Sequence, residues 1–207
     1  MEATFKLCLM LEGYADCDEN PIVDLFKFLP SIEHLTTWGY LNTVDVDYAQ
    51  EEFPASLIHL KYFCIEDLCV DKYGLTFLGV LTKCSPNLEK IKLRVDVSDE
   101  LDSDQMKEFS VILEKYSDVW LEHLNELEIL FLVYEELEVM FFNFILARSP
   151  NLSKVVLYSP RVDDRDEELE MLETLFSAPR PPNAPPVKII LKTQRRFEAF
   201  RSFDDQD

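Results

Sequence analysis

The side chains that could perform nucleophilic chemistry in this 207-residue chain are three histidines and five cysteines. A nucleophile and its general base must lie within hydrogen-bonding distance of each other. His59 and Cys64 are close in the sequence, but they are five positions apart on one predicted strand, so their side chains leave opposite faces. His123 occupies the position equivalent to His59 in a repeated phrase, which indicates a structural role. We therefore expect a protein that is not an enzyme.

The five cysteines do not have the spacing of a metal site either. Structural zinc usually takes four ligands arranged in short C-x₂₋₄-C or H-x₃₋₅-H pairs. Cys84 instead falls at the end of a predicted helix and Cys64 within a predicted strand. The odd number and irregular spacing also argue against a disulfide framework. We expect reduced, packed thiols, no metal ion, and a cytoplasmic or nuclear location.

The few glycines and the acidic runs exclude two further kinds of ligand site. Only four glycines are present, so no phosphate-binding loop such as G-x-x-x-x-G-K can be assembled. The acidic runs at 98–104 and 163–170 lack the glycine that an EF-hand loop requires. They are interpreted as solvated loops with favourable charges at helix starts, with recruitment of a basic partner as the alternative. No cofactor is expected.

The composition predicts an ordered, acidic protein. Forty acidic and 20 basic residues give a formal net charge of −20, which disfavours binding to nucleic acid or anionic membranes. Apolar residues make up 47% of the chain and include 15 Phe and 8 Tyr, enough for a packed core. No apolar run approaches the 18 residues of a membrane span, and the N-terminus MEATFKLCLML has no signal-peptide pattern.

Two phrases that recur 64 residues apart indicate how these residues are positioned. KCSPNLEKIKL at 83–93 returns as ARSPNLSKVVLY at 147–158, with Pro86 and Pro150 equivalent. The segments that begin at His59 and His123 align at the same offset, and FLPSIEHL at 28–35 is a weaker early copy. The repeating unit is one strand plus one helix, with roughly the period of a leucine-rich repeat.

Within each unit, the spacing L-x-x-L-x-L predicts a strand, and apolar residues at helical spacing follow it. Leu88, Ile91 and Leu93 are one such set. Predicted strands are 4–10, 31–36, 58–65, 87–94, 124–132, 151–158 and 186–192, and predicted helices are 21–29, 71–84, 103–117, 135–148 and 165–177. The Ser-Pro-Asn tripeptides end two helices. The proline-rich run 178–186 is a stiff turn.

Stacking of these units predicts an α/β solenoid over residues 1–193: a curved parallel sheet backed by helices, with a loosely ordered tail at 194–207. Alternation along the strands then defines an outer sheet face that the helices do not cover, and this face is the predicted partner-binding site. Its candidate contact residues are Tyr62, Cys64, Lys90, Lys92, Glu126, Glu128, Lys154, Val156, Tyr158 and Lys188. Further members are Lys6, Cys8, His34, Thr36 and Ile190.

The tyrosines and lysines of this face predict what it binds. Tyr62 and Tyr158 are the expected anchors, since aromatic residues dominate the energetics of interfaces. Lys90, Lys92, Lys154 and Lys188 make part of the face basic, which favours an acidic or phosphorylated protein. The alternative interpretation is that these lysines only keep the strand face soluble.

The phrases LIHLKYFCIEDL, GLTFLGVLTKCSPNLEKIKL, WLEHLNELEI and FFNFILARSPNLSKVVLY resemble the leucine-rich-repeat and FBD region of plant F-box/FBD/LRR proteins. The resemblance extends over about residues 20 to 193. It implies the substrate-recognition part of a cullin-type ubiquitin ligase, in which an F-box docks on a Skp-type adaptor. We find no F-box pattern in these residues, so adaptor and cullin are expected only if an F-box is supplied elsewhere. The alternative is a free-standing scaffold or decoy that binds a protein without ligase assembly.

Overall fold

The computed structural model describes residues 6–10, 31–38, 57–69, 72–96, 103–130, 136–160, 169, 173 and 180–194. Seven strands lie in these ranges: β1 (Lys6–Met10), β2 (His34–Trp38), β3 (Tyr62–Cys69), β4 (Lys90–Asp96), β5 (Glu126–Leu130), β6 (Lys154–Pro160) and β7 (Lys188–Gln194). Three helices accompany them: α1 (Lys72–Cys84), α2 (Ser103–Lys115) and α3 (Glu136–Arg148). The predicted helix 21–29, most of the helix 165–177 and the tail from 195 lie outside the described residues.

The seven strands form one parallel sheet in sequence order, β1-β2-β3-β4-β5-β6-β7. Helices α1, α2 and α3 follow β3, β4 and β5, so each one carries the chain from one parallel strand to the next. This arrangement confirms the predicted α/β class and the parallel pairing. The register is regular throughout, except for a shift between Ile65 and Leu68 where β3 pairs with β4.

The strands begin later than predicted, because the first leucine of each L-x-x-L-x-L set lies in the turn before the strand. Leu60 is fully buried, yet the strand begins only at Tyr62. Leu88 and Leu124 are equally buried and also precede their strands, which begin at Lys90 and Glu126. An apolar side chain in the turn seals the end of the core, so sequence spacing alone extends the strand too far.

The core lies between the helices and one face of the sheet. The last two apolar residues of each L-x-x-L-x-L set lie in a strand and form the sheet side of this core. Both positions are at most 2% exposed in every strand from β3 to β6: Phe63 and Ile65, Ile91 and Leu93, Leu127 and Ile129, Val155 and Leu157. Helical side chains cover them, including Phe77, Leu81, Phe109, Phe141, Phe142 and Ile145. The predicted inward face is thereby confirmed, and the opposite face of the strands is left for other contacts.

Equivalent turns connect successive units. The amide side chain of Asn87 donates a hydrogen bond to the carbonyl of Ile58 at 2.8 Å, and that of Asn151 donates to the carbonyl of Glu122 at 2.7 Å. Both bonds reach back 29 residues, so each asparagine ties its turn to the preceding one. Helices α1 and α3 end immediately before these Ser-Pro-Asn turns, as predicted.

A ladder of backbone bonds repeats at the strand entrances. The carbonyls of Glu33, Lys61, Glu89, Asn125 and Ser153 each accept an N–H from the first residue of the next strand, at distances of 2.8 to 3.3 Å. The carbonyl therefore occupies the same position in five consecutive units. This repetition explains why the register stays constant across the sheet, because each strand is fixed at its first residue.

Candidate functional site

The register brings the predicted contact residues together on the sheet face opposite the helices, which we call the outer face. All but Tyr158 fall into two rows that cross the strands at right angles, and Tyr158 lies in the next row, between Leu130 and Lys192. The first row is Lys6, His34, Tyr62, Lys90, Glu126, Lys154 and Lys188, and the second is Cys8, Thr36, Cys64, Lys92, Glu128, Val156 and Ile190. The alternation that defined this face in the sequence is therefore present in the backbone pairing.

An ion network occupies the centre of the outer face. The Lys90 ammonium lies 2.8 Å from a carboxylate oxygen of Glu126 and 2.8 Å from one of Glu128. The Lys154 ammonium lies 3.0 Å from the other oxygen of Glu126. Two lysines and two glutamates carry no net charge, so the basic character predicted for Lys90 and Lys154 is locally neutralised.

The network shifts the pKa values of its members. Burial disfavours the charge on Lys90, but its hydrogen bonds to Glu126 and Glu128 outweigh this effect and raise its pKa. Burial likewise disfavours the Glu126 carboxylate, but the hydrogen bonds it accepts from Lys90 and Lys154 lower its pKa to about 2. Both groups therefore stay charged at neutral pH, and their hydrogen bonds hold the side chains in one arrangement.

Aromatic rings extend the network towards β2. The Lys90 ammonium lies 5.8 Å from the centre of the Tyr62 ring, within the range of a cation–π contact. The Tyr62 ring in turn lies 5.5 Å from the His34 ring. Burial raises the pKa of Tyr62, and the neighbouring Cys64 thiol, with which its hydroxyl is hydrogen-bonded, adds to this rise. Tyr62 is thus a neutral, partly buried side chain held on two sides.

Three residues of the second row are covered rather than exposed. Thr36 is 7% exposed, Cys64 is 3% exposed and Val156 is 1% exposed. These residues therefore offer a partner almost no surface. Burial raises the pKa of the Cys64 thiol to about 11, which leaves it protonated at neutral pH, and the thiolate is the nucleophilic form.

The end of the outer face over β6 and β7 carries two exposed lysines, Lys188 and Lys192. Lys188 forms no ion pair within the described part of the chain. Lys192 donates a hydrogen bond to the Tyr158 hydroxyl at 2.9 Å, and its ammonium lies 4.8 Å from the centre of that ring. The sequence prediction missed Lys192, although its spacing of two and four residues from Ile190 and Lys188 places it on the same face.

A shallow recess lies beside the network, towards the C-terminal ends of strands β3 to β6. It measures about 220 Å³, including the solvent space above it. Lys92, Arg94, Glu128 and Tyr158 surround it, and Cys64 and Leu130 contribute apolar surface.

The residues considered for catalysis do not come together. The sequence had suggested that His59 and Cys64 share one strand. His59 lies instead in the exposed turn before β3, which begins at Tyr62. Within the ranges that the structure describes, no cluster of histidine, cysteine, aspartate or glutamate could hold a metal ion. The same ranges include no helix long and apolar enough to cross a membrane. Comparison with family models, curated proteins and solved structures finds no match to the chain.

Proposed function

We propose that this chain is a non-catalytic, leucine-rich-repeat-like solenoid that binds a protein partner on the outer face. The repeated strand entrances and the turns that reach back 29 residues support the solenoid interpretation, since each unit contacts its neighbours in the same way. The observation that carries the binding proposal is the row of aromatic and charged side chains Tyr62, Lys90, Glu126, Lys154 and Lys188 across five parallel strands. The inner strands of this row are hydrogen-bonded on both sides, so little ordering is needed on binding.

The charge arrangement favours partner contact over β6 and β7. Lys90 and Lys154 already satisfy the two glutamates, so a partner gains little by competing for them. Lys188 and Lys192 are exposed, and Tyr158 lies beside them as an aromatic anchor. An acidic or phosphorylated segment placed here would meet two exposed ammonium groups.

Of the two roles implied by the sequence, we favour substrate recognition for a cullin-type ubiquitin ligase, on the strength of the resemblance to F-box/FBD/LRR proteins. The second role is a free-standing scaffold that holds a partner without ligase assembly. The two roles require the same outer face and differ in whether a Skp-type adaptor joins the complex. An F-box supplied elsewhere would be needed for the first role.

A capture experiment tests the binding face. The tagged chain is used as bait in a cell extract, and bound proteins are quantified by mass spectrometry against the variant Lys92→Ala/Tyr158→Ala/Lys188→Ala. We expect the specific partner to be lost from the variant, because Lys188 is exposed on the outer face and Lys92 and Tyr158 lie half-buried on it. The recovery of Skp-type adaptor and cullin with the partner supports the ligase role, and a partner without them supports the scaffold.

The matched control replaces three lysines on the helical side, Lys83, Lys107 and Lys115, by alanine. This variant changes the net charge by one more unit than the test variant but leaves the outer face intact. Partner recovery equal to that of the unmodified chain is expected. If both variants lose the partner equally, general charge is responsible, and if neither loses it, the outer face is not the binding site.

A further inference from the structure

Strand β7 is the last strand of the described sheet, and its helix-side residues are less buried than those of the inner strands. Its helix-side residues Ile189 and Leu191 are partly exposed, with Leu191 at 38%, whereas the equivalent residues of β6, Val155 and Leu157, are at most 2% exposed. Within the described ranges no strand pairs with the far side of β7. Within the part of the chain that the structure describes, the strand therefore presents both an apolar margin and an open edge.

The backbone at this edge repeats a hydrogen-bonding pattern. The same pattern joins one strand to the next at five places in the described sheet. The Lys188 N–H donates back to the carbonyl of Ser153 at 2.8 Å, as the first residue of each earlier strand donates to its predecessor. The carbonyl of Val187 corresponds to the carbonyls that accept the first N–H of the next strand in the earlier units. No N–H of the described residues donates to this carbonyl. The backbone N–H and C=O groups of successive residues in a strand point alternately to its two sides. Those of Lys188 point towards β6, so those of Ile189, Leu191 and Thr193 point away from β6.

The side chains that flank this edge specify the charge of a partner strand. Lys188 and Lys192 project from the outer face of β7, and both are exposed. The sheet itself shows how such a lysine is satisfied, since Glu126 lies between Lys90 and Lys154 on adjacent strands at 2.8 and 3.0 Å. An incoming strand with acidic residues in the rows of Lys188 and Lys192 would form the same cross-strand pairs.

We infer that the β7 edge binds an extended acidic segment of a partner protein by parallel strand addition. The segment carries acidic residues in the two lysine rows and apolar residues over Ile189 and Leu191. A second copy of this chain fits less well, because its β1 would set Lys6 opposite Lys188 in the same row. The inference does not rest on the proposed outer-face site, although Lys188 belongs to both surfaces.

The test uses the full chain and a synthetic peptide, Ser-Glu-Val-Thr-Ile-Glu-Thr, labelled with fluorescein and followed by fluorescence anisotropy. In the parallel register, the N–H groups of the first Glu and the central Thr face β7, and those of Val and Ile face away. N-methylation of the first Glu and the central Thr removes two hydrogen bonds to β7 and is expected to weaken binding about tenfold or more. N-methylation of Val and Ile is expected to leave binding unchanged.

A charge exchange provides the second arm. The variant Lys188→Glu/Lys192→Glu is expected to lose the acidic peptide by about tenfold and to bind a peptide with Lys in place of both Glu residues. Circular dichroism and urea unfolding establish that the variant is folded.

Three results would overturn the inference. They are no binding of the acidic peptide, equal effects of the two N-methylated peptides, and self-association of the chain that the peptide does not reverse. Equal effects of N-methylation together with loss of binding in the Lys92→Ala/Tyr158→Ala variant would place the peptide on the outer face. A different result would support the edge site and not the outer-face site. In that case N-methylation of the first Glu and the central Thr weakens peptide binding, N-methylation of Val and Ile does not, and the outer-face variants lose no partner.

Discussion

Replacing Lys90 by methionine tests whether the ion network is a held, partly desolvated unit. Methionine keeps most of the apolar stem but removes the ammonium that lies 2.8 Å from both Glu126 and Glu128. A hydrogen bond to a charged group contributes about 1.5–3 kcal/mol when well buried. The side chains here are 32%, 19% and 14% exposed, so water recovers part of that energy. We expect a net loss of about 2 kcal/mol of unfolding free energy.

Urea unfolding followed by circular dichroism measures this loss. For a urea dependence of about 2 kcal/mol per molar, the midpoint is expected to fall by about 1 M. Lys61→Met is the matched control, because Lys61 faces Glu89 at 3.6 Å and both side chains are about half exposed. An exposed pair of this kind contributes about 0 to 1 kcal/mol, so its midpoint should change little.

The effect of pH supplies a second readout. The Glu126 pKa of about 2 in the folded protein lies below its ordinary value of 4.5, so its contribution is full above pH 4.5 and is lost as the pH falls towards 2. The difference between the unmodified chain and Lys90→Met should therefore be smaller at pH 3 than at pH 7. Equal midpoint shifts for Lys90→Met and Lys61→Met, or a difference that does not change with pH, would refute the reasoning.

Three further predictions concern the packing and the turns. Gly79→Ala places a Cβ 2.5 Å from two atoms of the Tyr116 ring, so we expect about 1–2 kcal/mol of destabilisation in urea unfolding despite the better helix propensity of alanine; a gain in stability would contradict this. Asn151→Ala removes the 2.7 Å bond to the carbonyl of Glu122 and should cost about 1 kcal/mol, with faster amide exchange in that turn as the check. The raised Cys64 pKa predicts that stability falls as the pH rises from 9 to 11, and Cys64→Ala should reduce this fall.

The sequence determined the strand–helix order and the two faces of the sheet. The L-x-x-L-x-L spacing identified Phe63, Ile91, Leu127 and Val155 as inward residues, and all four are fully buried. This prediction succeeds because alternation and helical periodicity are local properties of the chain. The strand starts were less accurate, since a buried leucine such as Leu60 has the same hydrophobicity in a turn as in a strand.

Only the tertiary structure decided what the outer-face side chains do. The pairing of Lys90 with Glu126 and Glu128 joins residues 36 and 38 positions apart, and it neutralises a charge that the sequence had assigned to partner binding. The covering of Cys64, and the absence of a further strand beside β7 among the described residues, have the same origin. Such contacts depend on the register between strands and on which strand comes last, and neither is encoded in the spacing within a single segment.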